Sequence, residues 1–234
     1  MKVLITGGSS GIGLEIASLL LEEGHSVSIT YNSNKEKAKE LEKKGIQTYS
    51  FDQSNEESLK KIVEQINLKK FDTLINNACP NFPLTPLRKL EGVELAHYIS
   101  TGVNAVHTVS QAFVSSRAKQ PGRIINVLSA YTLGNTQNQM APYITLKYAL
   151  LGLTKCMAKE YLPKKIIVNA ISPSMTNTSF LSKTFPEKFI EMAKEDHPSG
   201  DIADPKMVAK TVSQMLQFDE FIVGVNLPVT GSPE

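Results

Sequence analysis

The amino-acid sequence predicts an α/β fold in which a doubly wound parallel sheet of about seven strands is covered by helices on both faces. Short apolar runs alternate with helical stretches along the chain, as parallel strands joined by crossover helices require. A glycine-rich turn lies between the first strand and the first helix. The 234 residues, 41% of them hydrophobic, are enough for one large core, and no repeat or linker divides them, so we expect a single domain over residues 1–234.

The first half of the chain predicts four strands and three helices. Gly24 and Gly45 lie where the first two helices are expected to end. The predicted elements are strand Val3–Thr6, helix Leu14–Glu23, strand Val27–Tyr31, helix Lys35–Lys44, strand Thr48–Phe51, a helix from the capping box Ser54–Glu57 to Ile66, and strand Thr73–Ile75.

The second half predicts three further strands. Residues 178–200 mix aromatic, charged and proline residues without a firm period, which fits either a mobile substrate loop or an ordinary surface connection. The predicted elements are helix Val93–Lys119, strand Arg123–Leu128, helix Tyr143–Tyr161, strand Ile166–Ile171, helix Pro205–Gln217 and strand Phe221–Val229.

Composition and charge disfavour several classes of function. The formal net charge is only +2 and the lysines are spread along the sequence, so no nucleic-acid partner is expected. No run of 18 apolar residues occurs and no leader precedes the first strand, so we expect a cytoplasmic protein without a membrane partner. Cys79 and Cys156 lack the spacing of metal ligands, so no metal site is expected.

The turn from Gly7 to Gly13 predicts a dinucleotide site. Its sequence is Gly-Gly-Ser-Ser-Gly-Ile-Gly, and it links a buried strand to an amphipathic helix, as in a Rossmann-type fold. Glycines let backbone N–H groups approach a pyrophosphate closely, and the helix dipole favours the anion. A glycine-rich segment can also be a turn and nothing more, but this position favours the binding interpretation.

The end of the second strand indicates which dinucleotide is preferred. An NAD site usually carries an acid there for the ribose 2′-hydroxyl, whereas the stretch from Gly24 to Asn34 contains neither Asp nor Glu. Asn32 and Ser33 leave room for a 2′-phosphate, and Lys35 adds one positive charge. The sequence therefore favours NADP, while the lack of an arginine leaves NAD possible.

Tyr143 and Lys147 are candidate proton-transfer groups. On a helix they lie about one turn apart on the same face. A fixed ammonium at this distance would favour the phenolate and lower the pKa of the tyrosine. Ser129 lies 14 residues upstream of Tyr143, far enough to fold back and hold an oxygen on which charge develops. The alternative is a packing tyrosine with a solvated hydroxyl.

Asn104 lies near the middle of the long predicted helix. Asparagine inside a helix is usually tolerated at the surface. Here the neighbours Val103 and Val106 are apolar, so Asn104 is also a candidate for a buried, paired side chain.

With these motifs placed, the chain resembles the short-chain dehydrogenase/reductase family in its shorter, single-domain form. The resemblance extends over almost the whole length. It is carried by residues 6–13, Asp52, Asn76-Asn77-Ala78, Asn104, Ser129, Tyr143, Lys147, Ile171-Ser172-Pro173, Thr178 and residues 224–229.

The resemblance implies a catalytic role for four residues. Tyr143 would be the general acid in carbonyl reduction and the base in alcohol oxidation, while Lys147 would hold the nicotinamide ribose. Ser129 would bind the substrate oxygen, and Asn104 would position a water that relays protons from Lys147. The implied cofactor contacts are Gly7, Ser9, Ser10, Gly11, Ile12, Gly13, Asn32, Ser33, Asp52, Gln53, Asn77, Ala78, Tyr143, Lys147, Pro173, Thr176 and Thr178.

Three positions depart from the family pattern. Cys79-Pro80 and Ser174 replace residues that are usually glycine, which is expected to reshape the nicotinamide pocket slightly. Ser10 is not the arginine or lysine that often accompanies NADP.

The expected function is NADP-dependent interconversion of a ketone and a secondary alcohol, with 3-oxoacyl thioesters as the substrate class that the sequence resembles most. The alternatives are an NAD-linked alcohol or sugar dehydrogenase and a non-catalytic, cofactor-sensing regulator. The resemblance also implies a homotetramer or homodimer. The apolar positions of the two long helices would serve that interface or simply face the sheet: Val106, Val109, Phe113, Leu150, Leu153 and Met157.

Overall fold

The computed structural model describes residues 1–118, 120–134 and 136–231. Seven parallel strands form one sheet in the order β3-β2-β1-β4-β5-β6-β7. The strands are β1 Lys2–Ile5, β2 Ser26–Tyr31, β3 Gln47–Ser50, β4 Thr73–Asn76, β5 Gly122–Val127, β6 Ile166–Pro173 and β7 Asn226–Val229. The helices are α1 Gly11–Glu22, α2 Lys35–Lys43, α3 Glu56–Gln65, α4 Gly92–Ser116, α5 Ala141–Tyr161, α6 Ser179–Thr184, α7 Glu187–Asp196 and α8 Pro205–Met215.

The strand order reverses next to β1. Val3 of β1 pairs with Val27 of β2 on one side and with Thr73 of β4 on the other. The chain leaves β1 in one direction through β2 and β3 and returns on its other side at β4. Such a reversal opens a crevice beyond the carboxyl ends of the strands, where ligands bind in open α/β sheets. The predicted doubly wound α/β fold is confirmed.

Apolar side chains cover both faces of the sheet. Val3 and Ile5 belong to one core cluster and Leu4 to another, because successive side chains of a strand point to opposite faces. On one face α1 and α8 complete the core, and on the other α4 and α5 do so. Of the six apolar positions of α4 and α5 named above, five are buried in the cluster that contains Leu4, and Leu153 packs against that cluster. These positions therefore face the sheet.

Most predicted boundaries shift by one to three residues in the structure, and the ends of α3, β7 and α4 differ most in their consequences. Asn55, not Ser54, caps α3, because its side chain accepts a hydrogen bond from Ser58 N at 3.0 Å while Ser54 Oγ donates to Asp52. The last strand begins at Asn226, and Phe221 is 91% exposed. The predicted end of the long helix, Lys119, lies outside the described residues, and α4 ends at Ser116.

The segment expected to be a substrate loop is largely helical. Thr178 caps α6 by accepting a hydrogen bond from Leu181 N, and α7 follows after two connecting residues, Phe185 and Pro186. Phe185 and Phe189 stack with ring centres 4.8 Å apart. The segment packs into a small apolar cluster together with Phe82, Met140 and Ile202 and is not an irregular connection. None of the described helices has both the length and the apolar character needed to cross a membrane.

Candidate active site

Two cavities lie at the carboxyl edge of the sheet, and they share the lining residues Ile12, Leu128, Tyr143, Thr178 and Phe180. The sheet-edge cleft, about 820 Å³, runs along the ends of β1, β2 and β4 and is lined by the glycine turn, residues 30–34, residues 51–54 and residues 77–81. The helix pocket, about 680 Å³, lies between residues 128–134, residues 173–178 and the helices α6 and α7. A reaction between a ligand in one cavity and a ligand in the other would occur beside Tyr143.

The glycine turn is fixed to the end of β4. Asn77 Nδ2 donates to Thr6 O at 3.0 Å and to Gly7 O at 3.1 Å, and the N–H groups of Asn77 and Ala78 both donate to Thr6 Oγ1. A Cβ atom at Gly13 would lie 2.5 Å from Asn77 Nδ2 and closer still to Gly7 O. Glycine at position 13 is therefore required for α1 to start directly beneath the turn.

The far end of the sheet-edge cleft is polar. Asn32 and Ser33 line it just before Asn34, which caps α2 by accepting a hydrogen bond from Lys37 N at 3.3 Å. The Asp52 carboxylate accepts hydrogen bonds from Ser54 N and Ser54 Oγ at 2.9 and 2.6 Å, so it is already engaged within its own turn. This end offers amide and hydroxyl groups together with the N-terminus of α2.

Helix α5 brings Tyr143 and Lys147 to the junction of the two cavities. Lys147 is buried, its Nζ donates to Val127 O at 2.8 Å, and it lies 5.4 Å from the centre of the Tyr143 ring. Ser129, at the end of β5, is buried and lines the helix pocket beside Tyr143. The structure thus brings together three of the four predicted catalytic residues.

Aromatic rings enclose Tyr143. Phe82 stacks on it with ring centres 5.0 Å apart, Phe180 lies at 6.2 Å, and Tyr131 meets it edge-on at 6.4 Å. Burial raises the pKa of Tyr143 well above its usual range, the nearby Cys79 thiol raises the pKa further, and a hydrogen bond with Ser129 lowers it. Such a tyrosine carries its proton at neutral pH.

The pKa of Tyr143 is raised in this structure, not lowered as the position of Lys147 suggested. Among the described residues Ser129 is the group that lowers that pKa, and burial outweighs it. The physical reason is that the lysine ammonium lies against the Val127 carbonyl, while the phenol is enclosed by apolar rings.

Asn104 is not buried and paired. It is exposed on α4, and among the described residues that line the two cavities α4 contributes His97, Tyr98 and Thr101 instead. A Cβ at Gly102 would lie 2.6 Å from the Leu146 side chain, so α4 packs closely on α5 at that point. Asn104, two residues further along the helix, is rotated away from that contact by about 200°. The apolar neighbours that suggested burial lie on a different part of the helix surface.

A network of buried hydroxyl and amide groups holds Ser129 in place, and sequence reasoning missed it. Thr132 Oγ1 donates to Ser129 O at 2.8 Å and accepts from Asn226 Nδ2 at 3.2 Å, while Ser172 Oγ donates to Asn226 Oδ1 at 2.8 Å. The network ties the turn after β5 to β6 and β7. Polar residues within otherwise apolar strand ends were the signal that was available in the sequence.

Most predicted cofactor contacts line one of the cavities. Gly13 packs beneath the turn and, among the described residues, is not part of either lining. Those in the sheet-edge cleft are Gly7, Ser9, Ser10, Gly11, Ile12, Asn32, Ser33, Asp52, Gln53, Asn77, Ala78, Tyr143, Lys147 and Thr178, and Pro173 and Thr176 lie in the helix pocket.

Comparisons with known proteins agree with this arrangement. A family model described as short chain dehydrogenase matches residues 1–188. The chain belongs to the short-chain dehydrogenase/reductase family. It is therefore an oxidoreductase, and its fold places a nucleotide site at the carboxyl edge of the sheet.

Individual relatives in this family match over nearly the whole chain. The acetoacetyl-CoA reductase of Rhizobium meliloti is 31% identical over 236 aligned positions, and the alignment covers 97% of this chain and 96% of that protein. The 3-oxoacyl-(acyl-carrier-protein) reductase of Aquifex aeolicus is 31% identical over 97% of this chain and 95% of its own length. The crystal structure of the 3-ketoacyl-(acyl-carrier-protein) reductase from Brucella melitensis, complexed with NADH, has a TM-score of 0.86 at 27% identity and covers 99% of this chain and 97% of that one.

Proposed function

We propose that this oxidoreductase reduces a ketone to a secondary alcohol with NADPH and also runs in the reverse direction. The observation that carries the proposal is the place of Tyr143, at the junction of the two cavities, with Ser129 beside it. A phenol that keeps its proton at neutral pH is suited to donate it to a developing alkoxide.

The residues of the sheet-edge cleft fit a dinucleotide phosphate. The N–H groups of the glycine turn and the start of α1 suit a pyrophosphate. At the far end, Asn32, Ser33 and the N-terminus of α2 would hold a 2′-phosphate, and residues 32–34, directly after β2, include no acid. Bound NADPH would supply the hydride that reduces the substrate.

The residues of the chain then handle the oxygen and the proton. Ser129 Oγ donates a hydrogen bond to the ketone oxygen, and Tyr143 Oη transfers its proton to the same oxygen as the carbonyl carbon becomes tetrahedral. Lys147, held by Val127 O, keeps a positive charge near the cofactor side of Tyr143. The helices α6 and α7 form one wall of the pocket in which this reaction would occur.

The proposed substrates are 3-oxoacyl thioesters. The helix pocket is walled by apolar side chains such as Leu133, Phe180, Phe189 and Met192, which suit an acyl chain. The similar proteins from Rhizobium meliloti and Aquifex aeolicus, one named an acetoacetyl-CoA reductase and the other a 3-oxoacyl reductase, support this choice.

An NAD-linked reaction is the second candidate. The similar Brucella melitensis structure is a complex with NADH, and Ser10 gives the glycine turn no positive charge for a 2′-phosphate. The deciding measurement is the ratio of kcat/KM for NADPH and NADH with acetoacetyl-CoA. A ratio above ten supports the NADP assignment, a ratio below one supports the NAD-linked reaction, and silence with both cofactors across thioesters, simple ketones and keto-sugars would contradict both.

We also propose a cytoplasmic homo-oligomer. Cys79 and Cys156 are both free thiols, as a reducing compartment favours. Phe221 is 91% exposed and Ile222 follows it beside the last strand, so this apolar surface is a candidate contact between copies. The substitution Phe221→Glu should reduce the molecular mass measured by light scattering. An unchanged mass would exclude this surface as the contact.

A further inference from the structure

Ser174, directly after β6, has a hydroxyl group without a partner. Its Oγ is buried, and among the described residues it is the single buried side-chain N or O atom for which no hydrogen bond is found. Buried polar groups are nearly always paired, so an unpaired hydroxyl calls for an explanation. Ser174 contributes to the wall of the helix pocket, next to Pro173 and Met175.

The backbone of Ser174 is fixed while its side chain is not. Ser174 N donates to Val229 O at 3.0 Å, and its carbonyl accepts a hydrogen bond from Thr176 Oγ1 at 2.8 Å. Rotation about χ1 therefore redirects the hydroxyl without breaking any hydrogen bond. The position of this donor is set by the sheet, and its direction is free to follow a ligand.

The surroundings of Ser174 favour a neutral acceptor as the ligand group. No lysine or arginine lines the helix pocket within the described residues, and Asp196 adds a negative charge to it, so an anionic group is not favoured there. Ser174 is also absent from the described lining of the sheet-edge cleft, where the glycine turn and most of the predicted cofactor contacts lie. A carbonyl oxygen of the substrate is a neutral acceptor and would lie in the helix pocket, so it agrees with both observations.

We propose that Ser174 Oγ donates a hydrogen bond to a second carbonyl oxygen of the substrate, on the carbon two bonds from the reacting ketone. Ser129 and Tyr143 take the ketone oxygen, and Ser174 takes the ester or thioester oxygen. The residue thereby selects 3-oxoacyl compounds over simple ketones. This inference rests on the proposed ketone reduction and specifies its substrate class.

A matched pair of substrates tests the proposal. Ethyl 3-oxobutanoate carries the second carbonyl, and 2-hexanone has a similar length without it. In Ser174→Ala, kcat/KM for ethyl 3-oxobutanoate should fall by about tenfold, mostly through KM, as the loss of one neutral hydrogen bond implies. The value for 2-hexanone should stay within about twofold. Ser182→Ala is the control, because this exposed hydroxyl of α6 donates to Ser179 O and should affect neither substrate.

Two further measurements separate the outcomes. The melting temperature of Ser174→Ala should stay the same or rise, because the substitution removes an unpaired buried hydroxyl. An equal fall for both substrates, or a weaker NADPH Kd, would place Ser174 at the cofactor and overturn the proposal. An unchanged preference between the two substrates would overturn it as well. A parent protein that reduces neither substrate with either cofactor would instead contradict the proposed function.

Discussion

The sheet-edge cleft and the helix pocket meet at Tyr143, but they are built in different ways. The cleft is formed by backbone N–H groups and short polar side chains at strand ends, and Asn77 holds its glycine turn with two hydrogen bonds. The pocket is formed by apolar side chains on two short helices, with Phe185 stacked on Phe189. The first construction depends on the path of the backbone, and the second depends on which side chains are present.

This difference implies that the two cavities respond separately to substitution. Changes in the cleft should alter cofactor affinity and leave the KM of the carbonyl substrate unchanged. Changes in the pocket should do the opposite. Tyr143, which both cavities share, should instead affect turnover.

The largest effect on the cleft is expected for Gly13→Ala. The new methyl group would lie 2.5 Å from Asn77 Nδ2, which is itself held by hydrogen bonds, so the turn must move. We expect NADPH affinity, measured by fluorescence titration, to fall by at least about a hundredfold, or ~2.7 kcal/mol.

Gly152→Ala is the matched control for that experiment. Gly152 is exposed on α5 and a Cβ there would meet nothing within 4 Å. The Gly152→Ala variant should bind NADPH like the parent, and its free energy of unfolding should rise by up to about 1 kcal/mol because alanine has the better helix propensity. Parent-like binding by Gly13→Ala would show that the turn is not the pyrophosphate site.

A smaller effect is expected for Asn32→Asp at the end of β2. A carboxylate there would repel a 2′-phosphate and accept a hydrogen bond from a 2′-hydroxyl. We expect the KM for NADPH to rise by about ten- to a hundredfold while the KM for NADH falls. Equal changes for both cofactors would mean that Asn32 does not face the 2′-position.

Phe189→Ala tests the other cavity. Phe189 lines the helix pocket and stacks on Phe185, so its removal opens the wall that would cover an acyl chain. The KM for a 3-oxoacyl substrate should rise by about three- to tenfold as apolar contact is lost, with NADPH affinity unchanged. Met207→Ala, at an exposed site on α8 outside both described linings, is the control. A change in the NADPH affinity of Phe189→Ala would show that the two cavities do not respond separately to substitution.

The smallest effect is expected from pH. Because burial raises the pKa of Tyr143, the phenol stays protonated up to and beyond the usual tyrosine value of about 10. Titration of Tyr143 should therefore cause no change in the rate of ketone reduction between about pH 6 and 9. The rate of alcohol oxidation, which needs the phenolate, should rise with pH. A fall in the reduction rate centred near neutral pH would show that Tyr143 titrates there.

Local patterns in the sequence predict the cleft well. Residues close together in the chain determine the glycine turn, the alternation of strands and helices, and the spacing of Tyr143 and Lys147. The local sequence is therefore enough to predict the geometry of these features. The seven-stranded parallel sheet follows from the same alternation.

The remaining features depend on tertiary packing, which the local pattern does not contain. Asn104 has apolar neighbours in sequence, yet the orientation of α4, set by its contact with Leu146 at Gly102, leaves it exposed. The direction of the shift in the Tyr143 pKa depends on Phe82 and Phe180, which lie far from it along the chain. The unpaired hydroxyl of Ser174 likewise becomes visible only when its neighbours are in place.

The turnover of Tyr143→Phe tests the central claim most directly. The substitution removes the hydroxyl that both cavities share and keeps the ring stacked against Phe82. With NADPH and acetoacetyl-CoA, kcat should fall by about 10²- to 10⁴-fold, as the loss of a general acid implies, while the Kd for NADPH stays near the parent value. A variant that turns over like the parent would contradict the role of Tyr143 as the proton donor.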